Sequence, residues 1–515
     1  MKKNASRTEH ITRNVSVTLL TQVVSLFFAF LNRTIFIRLL GVDYLGLDGL
    51  FASILTIFSL AELGIGNALI FSLYKPIAEG DRHKATQLLT LYNKAYRIII
   101  LAILCVGAIL IPFLSRIVNA DLNGLEINLY VIYALFLLNT VSSYFLAYRS
   151  AILAVNQHQS AISVVQTSTK ISVSVIECVL LLVFHSYYIY LLVRVVGNYV
   201  SALIIAHRAH KEYPELCVKN PEPLPKSEIS RIAKDVYALS IRRVGSVVQT
   251  SIGNIVINAF ISLAMVGVYS NYVLIITSVQ GTTTLMMAAM TASIGNFIAT
   301  QKVKEVEGAF RLYTFITYLL YGFCSICLVV LINKFILLLW GEDYLLSNTA
   351  VYLLAFNFFL YGFQSSINVF RDAAGLFVQG KYRPIFSAAT NIIFSIILVK
   401  IMGIEGVILG TILSRLLVSA WYDPYILYTR LFDVGPSRYF VRLGFYIMVT
   451  FFFAFCVQHL TGFFNDTIGY FIICALICVL SSVLLVVPFI RTSEMQDLFV
   501  RVKEVKNNTL KRFKR

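Results

Sequence analysis

The sequence predicts an all-α integral membrane protein with about fourteen transmembrane helices. Two observations predict this class: apolar stretches recur along the whole chain, and the Lys and Arg residues between them fall almost entirely on alternate connections. Each stretch is long enough to cross a bilayer core, which takes roughly 20 helical residues. The predicted spans are 15–40, 46–73, 92–114, 128–152, 159–184, 187–207, 236–262, 266–299, 309–333, 348–370, 382–402, 405–429, 439–461 and 467–490.

The distribution of positive charge predicts the orientation of these spans. One set of connections carries the basic start of the chain, the Arg208–Lys234 group and the basic C-terminal tail. The opposite set carries only Arg116, Lys334 and Lys400. Cytoplasmic connections are the ones enriched in Lys and Arg. Both termini are therefore predicted to be cytoplasmic.

The composition excludes most soluble functions. Hydrophobic residues make up 58% of the 515 residues, charged residues make up 13%, and the mean hydropathy is +0.78, which leaves no room for a sizeable soluble domain. The net charge of +17 would suggest nucleic acid in a soluble protein. Here it is explained by cytoplasmic loops that face anionic membrane lipids, so we expect anionic lipids and no nucleic acid among the partners.

A possible nucleotide site is rejected on its sequence. The stretch from Gly375 to Lys381 has the spacing of a phosphate-binding loop, but Tyr382 follows where that loop needs Ser or Thr for magnesium. We interpret it as the turn between the tenth and eleventh spans. The outer connections are short and offer no place for catalytic residues. We therefore expect neither an enzyme nor a bound cofactor.

The chain repeats itself in two halves of six spans. The stretch 151–165 corresponds to 373–389, and with that offset Arg194 of the sixth span meets Arg415 of the twelfth. Six is an even number, so both halves enter the membrane from the same side and form a parallel repeat. The predicted domains are an N-lobe at 1–210, a proline-containing cytoplasmic linker at 211–230, a C-lobe at 231–430, helices 13 and 14 at 431–490, and a basic cytoplasmic tail at 491–515.

Polar residues follow several spans at helical spacing, so that each set lies on one helix face. A charged residue that faced lipid at the centre of a span would cost on the order of 2.5–3.5 kcal/mol, so these faces are predicted to face protein or water. The sets are Thr18, Gln22, Ser25, Asn32 and Arg33; Ser163, Gln166, Lys170, Ser174 and Glu177; Arg243, Ser246, Thr250, Asn254 and Asn258; and Asn357, Gln364 and Asn368.

Cations outnumber acids inside the predicted spans. Interhelical ion pairs and side chains that reach back to the interface would explain some of them. The buried acids are chiefly Glu62 and Glu177, which are too few to neutralise the rest, whereas an anionic ligand can. The two acids are candidates for ion coupling, because a buried carboxyl group can bind and release a proton or sodium ion. The candidate substrate-binding cations are Arg33, Lys170, Arg194, Arg243 and Arg415.

The region of the first two spans, with the residues just before and between them, carries a recognisable pattern. It comprises Arg13-Asn14, Gly41, Tyr44-Leu45-Gly46, Glu62-Leu63-Gly64 and Gly66-Asn67. With the helix number and the repeated halves, this pattern resembles the polysaccharide transporters of the multidrug/oligosaccharidyl-lipid/polysaccharide exporter superfamily. The resemblance covers essentially the whole chain.

The resemblance implies a Wzx-type flippase of the bacterial cytoplasmic membrane. Such a protein moves undecaprenyl-pyrophosphate-linked oligosaccharide repeat units to the outer leaflet by alternating access, and cationic side chains hold the pyrophosphate. A polysaccharide polymerase and glycosyltransferases are then possible partners. The alternatives are an ion-coupled multidrug exporter of the same superfamily and a structural assembly subunit. The excess of buried cations favours a phosphate-bearing substrate, because cationic drugs need carboxylates or aromatic cages.

Overall fold

The computed structural model describes residues 7–62, 64–119, 127–218, 222–376, 379–462 and 467–500. The predicted basic tail lies outside these residues beyond position 500. The described chain is built from helices, and the all-α prediction is confirmed. The first ten α-helices are α1 (Arg7–Leu40), α2 (Val42–Phe58), α3 (Ile65–Glu79), α4 (Arg82–Leu110), α5 (Leu114–Ile117), α6 (Leu129–Tyr144), α7 (Ala147–Val155), α8 (Gln159–Phe184), α9 (Tyr187–Glu212) and α10 (Lys226–Phe260).

Seven further α-helices follow. Two five-residue π-helical segments, Arg415–Ser419 and Tyr428–Phe432, lie on either side of the fifth of these. Such segments appear mostly as single turns and often mark functional positions. The helices are α11 (Leu263–Thr300), α12 (Val303–Trp340), α13 (Asn348–Ala373), α14 (Arg383–Ser414), α15 (Ala420–Leu427), α16 (Ser437–Thr461) and α17 (Ile468–Val486).

Eleven helical stretches in the described residues are long and apolar enough to cross a membrane. One of them, Arg383–Phe432, includes two predicted spans and is interrupted at Gly403, where φ is 58°. The predicted second span is divided into α2 and α3, and Gly64 between them has φ 78°. Glycine adopts this left-handed conformation without steric cost. The total of fourteen spans and the orientation of the termini stay predictions.

The described residues group into two compact units. The first comprises the described parts of Met1–Ser270 together with Lys381–Ile392, and the second comprises those of Asn271–Gly380 and Ile393–Arg515. The helix α10 belongs to the first unit because it packs against α2. The predicted division into two repeated lobes at 1–210 and 231–430 stays a prediction.

Close helix packing holds the first unit together. A Cβ atom on Gly46 would lie 2.2 Å from the carbonyl oxygen of Leu263, and one on Gly267 would lie 2.5 Å from that of Val42. Small residues allow helix backbones in membranes to approach this closely. The start of α11 therefore crosses α2 through two facing glycines.

The centre of the second unit is formed by α12 and α13. In each of these helices 61% of the residues in its apolar 18-residue stretch are buried, which is a larger share than in the other candidate spans. Aromatic side chains fill this core, and the rings of Tyr318 and Tyr446 stack with their centroids 4.2 Å apart. By contrast, only 22% of the residues in the apolar 18-residue stretch of Ile468–Phe489 are buried, which leaves that helix largely free to face lipid.

The predicted linker packs against the first unit where it is described. The Lys84 ammonium lies 2.6 Å from a carboxylate oxygen of Glu228, and His83 lies 3.0 Å from Glu222. Leu216 and Leu224 are buried. These contacts fasten the linker to the start of α4.

Candidate functional site

The candidate residues of the first unit depend on the contact between α8 and α9. A Cβ atom on Gly197 would lie 2.2 Å from Cγ2 of Val173. The Val173 side chain of α8 therefore packs directly against the backbone of α9 at Gly197. This approach brings Glu177 of α8 next to Arg194 of α9. The sequence predicted both residues as functional, but it did not predict that they would meet.

Arg194 is an ion-paired arginine. Its Nε donates to Oε1 of Glu177 at 2.9 Å, and its Nη1 donates to Oδ1 of Asp48 at 2.7 Å. The Glu177 side chain is only 5% exposed and that of Asp48 17%. The guanidinium also donates to the hydroxyl of Tyr190 and lies over the ring of that residue. Two carboxylates therefore compensate its single charge.

Neutral groups from α1 complete the cluster. Asn32 donates from Nδ2 to Oε2 of Glu177 at 2.6 Å, and Tyr190 donates to Oδ1 of Asn32 at 3.0 Å. Both oxygens of the buried Glu177 carboxylate thus have donors. Buried polar networks are stable only when their members are satisfied in this way. The cluster consequently ties α1, α2, α8 and α9 together.

Arg33 lies beside the same cluster. Its Nη2 donates to Oγ of Ser270 at 2.6 Å, and its charge is attracted by Asp48 and repelled by Arg194. Two arginines and two carboxylates, those of Asp48 and Glu177, therefore share this region. The charges balance within this cluster, and the predicted excess of cations over all spans stays a prediction. Asp48 was not among the predicted site residues because it lies near the start of the predicted span 46–73, whereas α2 begins at Val42.

Arg415 has a different environment in the second unit. Its Nε donates to Oδ1 of Asn357 at 3.2 Å, its Nη1 donates to Oε1 of Gln364 at 2.5 Å, and its guanidinium lies 5.7 Å from the ring centre of Tyr361. The residue is only 9% exposed. Within the described chain no carboxylate lies within ion-pair distance of it.

The partners of Arg415 come from one face of α13. Asn357, Tyr361 and Gln364 are spaced by four and three residues, which puts them on the same side of a helix. Two of them belong to the polar set predicted for the tenth span. Arg415 itself begins the first π-helical segment. These neutral partners satisfy hydrogen bonds and leave the positive charge uncompensated.

The remaining predicted residues lie apart from these contacts. Lys170 and Arg243 are exposed, and neither makes an ion pair within the described residues. The carboxylate of Glu62 accepts a hydrogen bond from the Tyr96 hydroxyl at 2.7 Å. The predicted roles of these residues stay predictions.

Sequence reasoning missed a further buried ion pair. Arg371 of α13 donates to Asp423 of α15, and its Nη2 donates to the carbonyl oxygen of Gln379 at 2.8 Å. The ion pair holds the turn after α13. This is the stretch that resembles a phosphate-binding loop and that the sequence predicted as a turn. The signal was an acidic residue, Asp423, inside an apolar span. Among the described residues no group of three or more His, Cys, Asp or Glu side chains comes together.

Three solved structures share the fold of this chain. The lipid II flippase MurJ, in an inward closed conformation, has a similar structure: the TM-score is 0.66 over 93% of this chain and 98% of that chain, at 18% identity. An inward-facing multidrug resistance MATE family transporter of the MOP superfamily gives 0.55 over 77% of this chain and 91% of that chain, at 13% identity. A Vibrio cholerae MATE transporter gives 0.55 over 83% and 99%, also at 13% identity. The fold is that of membrane flippases and transporters.

The family follows from the sequence match. The family model of polysaccharide biosynthesis proteins matches residues 11–294, which is more than half of the chain. The chain belongs to this family, and the predicted family resemblance is confirmed. No curated protein sequence matches the chain significantly. The family is thus one of polysaccharide biosynthesis proteins, and the fold is shared with membrane flippases and transporters.

Proposed function

We propose that this protein flips undecaprenyl-pyrophosphate-linked oligosaccharide repeat units across the bacterial cytoplasmic membrane by alternating access. The direction is from the cytoplasmic to the outer leaflet, for the synthesis of a cell-surface polysaccharide. A polysaccharide polymerase and glycosyltransferases are the partners proposed with it. The pyrophosphate is the part of the substrate that the protein holds by charge.

Arg415 is the observation that carries this proposal. A buried charge without a counter-ion costs several kcal/mol, and proteins keep such a charge where function needs it. Its partners Asn357 and Gln364 supply acceptors that orient the planar guanidinium. The guanidinium nitrogen Nη2 makes no hydrogen bond within the described residues. A phosphate oxygen would bind there by a charge-assisted hydrogen bond.

Two further observations support the substrate class. The structure most like this one among those compared above is called a lipid II flippase, and the family is one of polysaccharide biosynthesis. Arg33, Lys170, Arg194 and Arg243, all of the first unit, remain proposed substrate-binding cations. Arg194 is the weakest of them, because its charge is already compensated.

The experiment is a flipping assay with purified protein in liposomes. Fluorescent undecaprenyl-pyrophosphate oligosaccharides are incorporated, and their appearance in the opposite leaflet is followed by quenching. We expect flipping of the pyrophosphate-linked glycan and little flipping of a neutral polyprenyl glycoside of the same sugar. Equal rates for both lipids would contradict the role of the phosphates.

A second candidate function is favoured by one observation. Asp48 and Glu177 are two carboxylates close to one arginine in the first unit, and such acids could bind a proton or sodium ion. An ion-coupled exporter of small cationic molecules would use acids of this kind. Uptake of a cationic dye into inverted vesicles, driven by a proton or sodium gradient, distinguishes the two functions. We expect none.

The proposed orientation has a separate test. Single cysteines at Asp43 and Glu342 should react with a membrane-impermeant maleimide in intact cells. A cysteine at Lys226, in the linker, should react only after the membrane is opened. Labelling of the linker from outside would reverse the proposed direction of the whole chain.

A further inference from the structure

A second polar site lies at the end of the second unit that is poor in positive charge. A cavity of about 470 Å³ opens between the start of α13 and the end of α16. Its volume is within the range of roughly 300–1,000 Å³ that is typical of small-molecule sites. The residues that line it are Asn348, Tyr352, Phe455, Gln458, His459 and Gly462.

In α13 and in α16 the arginines lie at the end of the helix that is remote from the cavity. Arg371 is in the last turn of α13, whereas Arg438 and Arg442 are near the start of α16. The rule that cytoplasmic ends carry the positive charge therefore assigns the cavity to the external side. A substrate that had crossed the membrane would meet it from there.

Among the described residues that line the cavity, none carries a carboxylate, ammonium or guanidinium group. It offers two amides, a phenol and an imidazole, and the ring of Phe455 lies parallel to that of His459 at a centroid distance of 6.4 Å. Phosphates bind to cationic donors. Sugar hydroxyls both donate and accept hydrogen bonds, as amides and phenols do, and the apolar faces of sugar rings pack on aromatic rings. The lining thus fits a neutral carbohydrate better than a phosphate.

One polar atom in this lining has no partner within the described residues. The hydroxyl of Tyr352 is buried and makes no hydrogen bond. Most buried polar side-chain atoms are satisfied, so such an atom calls for an explanation. The side-chain amide of Gln458 also makes no hydrogen bond to the described residues. A ligand hydroxyl in the cavity would give both groups a partner.

We propose that this cavity is an external carbohydrate site, which binds the glycan part of the substrate after it has crossed the membrane. The inference rests on the proposed function for the direction of transport. It divides recognition between two places in the second unit. Arg415 holds phosphate, and the cavity around Tyr352 holds neutral sugar.

The test measures binding of the sugar without its lipid. The probe is the free oligosaccharide released by mild acid from the polyprenyl-linked glycans of the source bacterium. Saturation-transfer NMR reports its binding to the full-length protein in nanodiscs. We expect Tyr352→Phe to weaken binding about fivefold, as is typical for the loss of one hydrogen bond, and Gln458→Leu to weaken it by a similar factor.

A stability measurement separates this effect from misfolding. Because the Tyr352 hydroxyl has no partner among the described residues, Tyr352→Phe should leave the melting temperature unchanged or higher. The matched control is Tyr130→Phe, which removes a hydroxyl from an exposed tyrosine at the start of α6. That variant should bind the free glycan with wild-type affinity.

The outcomes also separate this site from the proposed function. Two results would overturn the carbohydrate site and leave the flippase intact. In one, the wild-type protein flips the lipid-linked glycan but does not bind the free glycan. In the other, the wild-type protein flips the lipid-linked glycan, and Tyr352→Phe and Gln458→Leu bind the free glycan as tightly as the wild-type protein does. Binding that depends on Tyr352, in a protein that flips nothing, would support the site and overturn the proposed function. Displacement of the glycan by phosphatidylglycerol vesicles would assign the cavity to a lipid headgroup and overturn the proposal.

Discussion

Two arginines that correspond in the predicted repeat have opposite surroundings. Arg194 is bound by the carboxylates of Glu177 and Asp48. Arg415 is bound by two side-chain amides and faces an aromatic ring. The same residue type thus serves as an internal ion pair in one unit and keeps an uncompensated charge in the other. The lesson is that a charged residue inside a span indicates function only after its partners are known.

The largest effect is expected from removal of the compensated arginine. Arg194→Met leaves Glu177 and Asp48 buried without their cation, which should lower the free energy of unfolding by about 3–5 kcal/mol. The measurement is the amount of folded protein in the membrane together with its melting temperature in detergent. Adding Glu177→Gln and Asp48→Asn should restore much of the loss. A stable Arg194→Met variant would show that the pair is not structural.

The uncompensated arginine should affect transport instead of stability. Arg415→Met removes a charge that is costly to bury, so the melting temperature should stay the same or rise. Flipping should fall roughly tenfold to a hundredfold, because charge-assisted hydrogen bonds contribute about 1.5–3 kcal/mol. Arg415→Lys should recover part of the rate, since it keeps the charge but loses the planar donors. Normal flipping by Arg415→Met would remove the phosphate role; Arg38→Met, at an exposed helix end, is the control.

A third variant makes the first site resemble the second. Glu177→Gln keeps the shape of the side chain and removes one of the two negative charges near Arg194. Asp48 still pairs with the arginine, so the free energy of unfolding should fall by only about 1.5–3 kcal/mol. The measurement is chemical denaturation in detergent. A loss as large as that of Arg194→Met would mean that Asp48 contributes little to the pairing.

A smaller effect on stability is expected at Glu62. In Glu62→Gln the amide oxygen can still accept from Tyr96, so the free energy of unfolding should change by less than about 1 kcal/mol. If Glu62 is the coupling acid, flipping by this variant should lose its response to pH and sodium gradients. An unchanged response would leave Glu62 with the structural role that its contact with Tyr96 indicates.

The smallest effect belongs to the exposed cations. Lys170→Ala and Arg243→Ala should change the free energy of unfolding by less than about 0.5 kcal/mol, as is usual for exposed positions. Any change in flipping should shrink as salt is added, because exposed charges are screened. The measurement is the flipping rate at low and high salt. A loss of flipping that salt does not alter would place these residues in direct contact with the substrate.

Much of the fold could be predicted from local sequence. The helical class and the family follow from apolar stretches, glycine positions and charge distribution, all of which are properties of neighbouring residues. The break at Gly64 was visible only as a run of glycines. The sequence could not show that α2 ends before Gly64, because the end of a helix depends on the packing of its residues against other helices.

The candidate site was predicted as residues but not as contacts. Sequence reasoning named Arg194, Glu177 and Arg415 and grouped the first with the last as similar cations. It did not include Asp48, Tyr190 or Tyr361 among the candidate site residues. It predicted an excess of cations over all spans, whereas the one cluster that joins Arg33 and Arg194 with Asp48 and Glu177 contains equal numbers of both charges. Helical spacing identifies the face of a residue but not the helix that packs against that face.

The sequence by itself determined that this is a polytopic helical membrane protein of the polysaccharide biosynthesis family, because hydropathy and charge act along the chain. Only the tertiary structure decided which charges are compensated. Arg194 and Asp48 are 146 positions apart, and Arg415 and Gln364 are 51 apart. Such partners are chosen by the packing of whole helices, and the energy of a buried charge depends on whether the partner is a carboxylate or an amide.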